Sequence, residues 1–228
     1  MADGEGLGLA ASSSTDLLTQ GVSQASHADA RAEKFLLVEG FLDRELCASL
    51  IGEARASEYR QSQVFYSFNE ETEPVIDTAK RDVKEVKVSK ETRALIAERL
   101  MTFKPSLEAH FDVQLTGHEK PNFLYYTVGG LYVAHTDSSD EPGCPDVVRN
   151  RQLSVIIFLN DQADSDDAEG YQGGSLVVYT PDYGLDSQDP GDRIAGKAGT
   201  LVAFRSNVFH EIQPLTSGER FSIITWFS

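Results

Sequence analysis

Two histidines, one aspartate and one arginine in the C-terminal half of this chain have the types and spacing for metal chemistry. His135-Thr136-Asp137 sets an imidazole and a carboxylate two residues apart, at the end of an aromatic, Gly-containing segment, residues 125–134. In an extended strand, residues i and i+2 point to one face, so the nitrogen and the oxygen can converge on one ion. His210, in a later strand-like segment, can supply a third ligand. Such a set leaves open positions on an octahedral metal, which suits Fe(II) and oxygen chemistry. Zinc accepts the same three ligands plus a water, so ligand type alone leaves that metal open. Arg220 adds a cation, and Ser222 shares its face of the strand. A guanidinium beside a hydroxyl within a β core wants a carboxylate partner, which can be a ligand or one of the chain's own acids.

The bulk composition narrows the classes. The chain has 228 residues, 36 acidic against 20 basic, and a net charge of -16. Phosphate contacts need clustered Lys and Arg, so a nucleic-acid binder is disfavoured, and so is docking to anionic membranes. Two cysteines, Cys47 and Cys144, are too few for a disulfide scaffold and suit a reducing compartment. No apolar run reaches the roughly eighteen residues of a membrane helix. The first residues lack a basic n-region and an apolar h-region, so the sequence reads as cytoplasmic.

The elements that must position these residues are legible in outline. Residues 1–33 are rich in Gly, Ala, Ser and Asp and read as a disordered tail; residues 34–228 read as one domain. Residues 35–38 read as a short strand. Asp43 then looks like an N-cap before Leu46, Cys47, Leu50, Ile51 and Ala54 at helical spacing. A second helix is predicted after Ser89, ended or kinked at Pro105 and resuming over 106–111. Between the helices, residues 59–87 are polar and read as an irregular segment that could cover an active site. His110 and His118 lack ligand partners at useful spacing and read as structural or surface residues. From Asn122 the period switches to two, with strands predicted at 123–128, 131–135, 153–160, 175–179, 200–204, 208–214 and 220–227. Turn formers at 214–219 predict a hairpin that sets Arg220 on the strand beside that of His210. Acidic stretches at 137–146 and 161–169 read as solvated loops. The fold class is mainly β (α+β).

Taken in order, Tyr126-x-x-Gly129-x-x-Tyr132-x-x-His135-x-Asp137, Leu159-Asn160, Gly173-Gly174-x-Leu176, His210 and Arg220-x-Ser222 with Trp226 resemble the Fe(II)/2-oxoglutarate-dependent dioxygenases, most closely their prolyl 4-hydroxylase-like branch. The likeness covers about residues 122–228, with a weaker echo in the helix after Phe41-Leu42-Asp43. It implies a double-stranded β-helix, or jelly roll, with N-terminal supporting helices. It also implies that His135, Asp137 and His210 hold Fe(II). Arg220, Ser222 and Tyr126 would bind 2-oxoglutarate, with O2 as the second cosubstrate and ascorbate as a candidate reductant. A carboxylate at Asp137, where the related halogenases have a small residue, favours hydroxylation over halogenation. The chain departs from some prolyl hydroxylases at Phe158, where they have a tyrosine that holds 2-oxoglutarate. Arg151, Trp226 and Tyr132 are the candidate substrate contacts. The implied activity is oxygen insertion into a C–H bond of a prolyl residue in a peptide or protein. A free amino acid or small metabolite is the alternative substrate, and a metal-binding jelly-roll sensor without turnover is the alternative of another class.

Overall fold

Two strands, Leu153–Phe158 and Arg220–Phe227, are buried at every residue, so each must lie between two layers. The computed structural model describes residues 34–68, 71–163, 170–179 and 190–228. The tail expected at 1–33 and residues 164–169 of the second acidic loop lie outside these. The elements in chain order are β1 (Phe35–Val38), α1 (Arg44–Ala56), β2 (Tyr59–Gln61), β3 (Val64–Phe68), β4 (Glu71–Val75), β5 (Lys84–Val86) and α2 (Lys90–Phe111). Then come β6 (Asn122–Tyr126), β7 (Tyr132–His135), α3 (Asp146–Arg149), β8 (Leu153–Phe158), β9 (Gln172–Gly173), β10 (Leu176–Val178) and β11 (Asp192–Ile194). The chain closes with β12 (Leu201–Arg205), β13 (His210–Ile212), β14 (Leu215–Ser217) and β15 (Arg220–Phe227).

The protein is mainly β. A seven-stranded antiparallel sheet runs β1-β12-β8-β15-β6-β5-β2, and a four-stranded antiparallel sheet runs β11-β10-β13-β7. Alternation along the large sheet separates its faces. On one face Leu153, Val155, Ile157, Leu201, Phe221 and Ile223 share a core with Cys47 and Leu50 of α1 and Ile96, Leu100 and Leu107 of α2. On the other, Ile156, Phe158, Val202, Phe204 and Ile224 pack against Leu176, Val178 and Ile212 of the small sheet. Asp43 caps α1 by accepting from Leu46 N at 2.7 Å, and Ser89 caps α2 by accepting from Thr92 N at 3.1 Å.

Three expectations are corrected. Helix α2 is one element from Lys90 to Phe111, helical over 106–111 as expected, so Pro105 does not end it. Its apolar face, from Ile96 to Phe111, stays in the core on both sides of the proline, and that packing outweighs one lost backbone bond. Residues 59–87 are not irregular: they hold β2 to β5, with β2 and β5 extending the large sheet beyond β6. Their polarity is that of a sheet edge, where Arg60 and Glu85 face each other across strands and bond at 2.6 Å. Finally, Arg220 is not on the strand beside His210. β13 pairs with β10 and β7, whereas β15 pairs with β6 and β8 in the other sheet. The intervening residues form β14, which pairs with β9, so the chain crosses between sheets instead of turning back. Among the described residues no helix is long and apolar enough to cross a membrane.

Candidate metal and anion site

β7 ends on His135 and β13 begins on His210, and the antiparallel register sets these two residues opposite each other. Their ring centroids are 4.3 Å apart. Each ring is turned by its own backbone: Val133 O lies 2.8 Å from His135 Nδ1, and Val208 O lies 3.1 Å from His210 Nδ1. A carbonyl accepts only from a protonated nitrogen, so both Nδ1 atoms carry a hydrogen, and in a neutral ring that leaves Nε2 as the lone-pair donor. Both Nε2 atoms face Asp137. Oδ1 is 3.5 Å from His135 Nε2, and Oδ2 is 3.4 Å from His210 Nε2. One ligand atom from each residue falls within 4.8 Å of the others.

Electrostatics prepare the same arrangement. Burial pushes His210 down to about 4, and the neighbouring His135 adds to that, so His210 is a neutral donor. Burial alone would raise the Asp137 pKa. At the acid pH where the carboxyl would take up a proton, positive charge on the facing His210, then hydrogen bonding and charge from His135 and a hydrogen bond from Ser154, override it and hold the carboxyl well below its usual range. His135 Nε2 is buried and makes no hydrogen bond among the described residues. A buried lone pair beside a buried carboxylate and a second neutral imidazole is an unfinished arrangement that a divalent cation completes. These donors fit Fe(II) by type.

Asp137 is itself held. Ser154 Oγ donates to Asp137 Oδ2 at 2.6 Å and lies 3.0 Å from Ser206 Oγ, while Asp137 N donates to Ser206 O at 2.8 Å. Arg151 Nη1 donates to Asp137 O at 3.0 Å. The remaining Arg151 donors form a fork on Glu119, at 2.5 Å and 3.0 Å, and its guanidinium stacks 3.7 Å from the Trp226 ring. Tyr132 stacks on His135 with centroids 3.5 Å apart, and the Arg81 guanidinium carbon lies over the Tyr132 ring at 4.7 Å. Of the expected substrate contacts, Tyr132 thus lies against His135, Arg151 against the Asp137 backbone, and Trp226 against Arg151. Arg151 is already engaged by the protein, and the Trp226 Nε1 is buried without a partner among the described residues.

Across the interior, β15 brings in Arg220 opposite Tyr126 of β6. Its guanidinium carbon is 4.9 Å from the Tyr126 ring and 5.3 Å from the Phe158 ring. Nη1 donates to Ser222 Oγ at 3.0 Å, as their shared face predicts. The side chain is 1% exposed, yet Nε and Nη2 have no hydrogen-bond partner and no carboxylate pairs with it among the described residues. A buried cation without a counter-ion is costly, so this geometry suits an acidic ligand. Tyr126 joins the two halves of the site. Burial raises its hydroxyl pKa, Arg220 and Arg81 pull it down, and Asp137 raises it again. A separate cleft of about 340 Å³, lined in part by Tyr59, Lys87, Arg93 and Lys120, contains none of these residues.

Sequence reasoning missed Ser154, Ser206 and Glu119. Ser154 carried a signal, as the one polar side chain inside the apolar run of β8. The other two depend on pairings across the fold.

Residues 121–228 match the 2OG-Fe(II) oxygenase superfamily. A PKHD-type hydroxylase of Alteromonas mediterranea is 32% identical over 108 residues, 46% of this chain and 42% of that protein. The chain spans about half the length of the curated relatives it matches or less. In fold it is similar to a Pseudomonas putida prolyl-4-hydroxylase, with TM-score 0.62, 20% identity, and coverage of 88% of this chain and 95% of that one. It is also similar to a prolyl hydroxylase from Trichoplax adhaerens solved with a hypoxia inducible factor peptide fragment. That match has TM-score 0.62, 17% identity, and coverage of 95% and 93%.

Proposed function

We propose that this chain, whose residues 121–228 match the 2OG-Fe(II) oxygenase superfamily and whose fold is similar to prolyl hydroxylases, is a hydroxylase acting on a prolyl residue of a peptide or protein. The observation that carries the reading is the buried Arg220, whose Nε and Nη2 lack any protein partner, in the same interior as the His135–Asp137–His210 cluster. A module that only senses metal has no use for that unpaired cation. A dicarboxylic cosubstrate uses both ends of the site.

On this reading His135, Asp137 and His210 hold Fe(II), and their fixed Nδ1–carbonyl contacts keep the Nε2 atoms aimed at it. Arg220 pairs with the distal carboxylate of 2-oxoglutarate. Ser222 orients the guanidinium, and the Tyr126 ring packs along it. The bound iron, 2-oxoglutarate and O2 supply the oxidation that hydroxylates a C–H bond, with succinate and carbon dioxide as coproducts. The protein positions and shields: Phe158, Ile156 and Val202 keep the interior apolar and dry around these groups. Trp226, Arg151 and Tyr132 form the substrate side, with the Trp226 N–H left to donate to a substrate carbonyl. The peptide-bound Trichoplax neighbour and the hydroxylase relatives support a prolyl substrate.

The test is succinate formation with Fe(II), 2-oxoglutarate and O2. Slow turnover is expected without substrate. Stimulation and one added oxygen atom are expected with proline-containing peptides, and not with free amino acids. Asp137→Ala and His210→Ala should abolish it. Absence of 2-oxoglutarate-dependent succinate in the wild type, or its survival in Asp137→Ala, refutes the reading.

A further inference from the structure

We propose that Tyr171 is a cosubstrate-binding residue whose hydroxyl, together with Arg220 Nε and Nη2, donates to the distal carboxylate of 2-oxoglutarate. This rests on the reading of Arg220 given above. Tyr171 precedes β9 and is fully buried, at 0% exposure. Its hydroxyl has no hydrogen-bond partner among the described residues. Burial raises its pKa, and the neighbouring Arg220 pulls it down, by its charge and by a polar contact with the hydroxyl too loose to be a well-formed hydrogen bond. So a neutral phenol, a proton donor, stands beside a cation that also has free donors.

The surroundings are shaped to admit this ring. A Cβ on Gly196 would lie 2.0 Å from the Tyr171 hydroxyl oxygen and 3.3 Å from Phe158 Cδ1. One on Gly174 would lie 3.2 Å from Arg220 Cδ and 3.3 Å from Tyr171 Cε2. Gly218 comes as close on the backbone side, 3.0 Å from Tyr171 Cα. Three glycines, from different parts of the chain, thus give way to one tyrosine beside Arg220. Packing alone does not account for the oxygen. Phenylalanine would fill nearly the same volume and bury no polar atom, and a buried hydroxyl without a partner is destabilising. Phe158, also against Arg220, presents a ring without a hydroxyl. Among the described residues the guanidinium also meets the Ser222 hydroxyl, bonded to Nη1, and Tyr126, by its ring and by a loose polar contact with its hydroxyl. The buried donors left without a well-formed hydrogen bond among these residues are Arg220 Nε, Arg220 Nη2 and Tyr171 Oη, a set matched to a carboxylate with two oxygens.

The experiment is calorimetric titration of the full chain loaded with Mn(II), in wild type, Tyr171→Phe and Arg220→Lys. The ligands are 2-oxoglutarate and 2-oxobutyrate, which has the same 2-oxo acid head and no distal carboxylate. Tyr171→Phe should weaken 2-oxoglutarate binding roughly 10-fold or more, as loss of a hydrogen bond to a charged group does. It should leave Mn(II) and 2-oxobutyrate affinities unchanged, and the metal-free melting temperature should not fall. If Tyr171→Phe binds 2-oxoglutarate like the wild type while Arg220→Lys is weakened, the Tyr171 assignment is overturned and the Arg220 reading stands. An equal loss for both ligands also overturns it, by showing general distortion. If Arg220→Lys binds 2-oxoglutarate like the wild type, the underlying reading fails.

Discussion

Ser154→Ala is the sharpest probe of how the proposed metal centre is held. Ser154 is fully buried and donates at 2.6 Å to Asp137 Oδ2, a carboxylate that is itself 7% exposed. No water can replace the lost donor without entering a packed interior. A hydrogen bond to a buried charge contributes about 1.5–3 kcal/mol, and removing the donor leaves the charge short of a partner. Ser206 Oγ, 3.0 Å from Ser154 Oγ, loses its contact in the same step. The carboxylate is then free to rotate away from the two Nε2 atoms, 3.4 Å and 3.5 Å distant. At about 1.4 kcal/mol per factor of ten, the loss corresponds to a metal affinity weakened roughly 10- to 100-fold, the range seen for partners of metal ligands. Anaerobic Fe(II) or Mn(II) titration should show it. Ser206→Ala, which leaves the Ser154–Asp137 bond intact, should shift the affinity by no more than several-fold. A Ser154→Ala protein that binds metal as tightly as the wild type would refute the argument that this hydroxyl fixes Asp137.

Two further predictions concern packing and pH. Gly196→Ala should destabilise the fold by about 1–3 kcal/mol in denaturant titration, because its Cβ would meet the Tyr171 oxygen at 2.0 Å. Adding Tyr171→Phe should recover part of that loss, and strict additivity of the two changes would contradict the contact. Cys47, 1% exposed under Gly199, has its thiol pushed from 9.0 up to about 11, chiefly by burial. A raised folded pKa stabilises fully below pH 9 and loses that contribution as pH rises through 11, by about 3 kcal/mol at most. Denaturant melts at pH 8.5 and 11 should show a smaller fall for Cys47→Ala than for the wild type, and equal falls would remove Cys47 as the cause.

How much was legible depends on whether a residue's role is local. His135 and Asp137 announce themselves because a two-residue spacing sets both on one face, and Asp43 and Ser89 because capping is a matter of three residues. Arg220 with Ser222 is local too, and their 3.0 Å bond is where the shared face puts it. The polarity of 59–87 misled because edge strands and loops share composition: Arg60 facing Glu85 looks like a loop until the partner strand is known. Tyr171, Ser206 and Glu119 act through residues far along the chain, with Glu119 reaching Arg151 across 32 positions, and no local period reports that.

The displaced hairpin is the most instructive error, because it bears on what the site can bind. A turn at 214–219 would have set His210 and Arg220 side by side on neighbouring strands, where one small anion could touch both. The chain instead crosses from the small sheet to the large one through β14. His135 and His210 therefore approach from one sheet and Arg220 from the other, with Tyr126 sensing both Asp137 and Arg220 between them. Facing sheets stand about 10 Å apart, less the reach of the side chains between them. On the proposed reading, a ligand that satisfies both ends needs a metal-binding head and an anionic tail separated by a short spacer. A 2-oxo acid with a distal carboxylate has that form, and a simple monocarboxylate does not. On that reading, the topology that the turn residues concealed is what would make the site select a dicarboxylic cosubstrate.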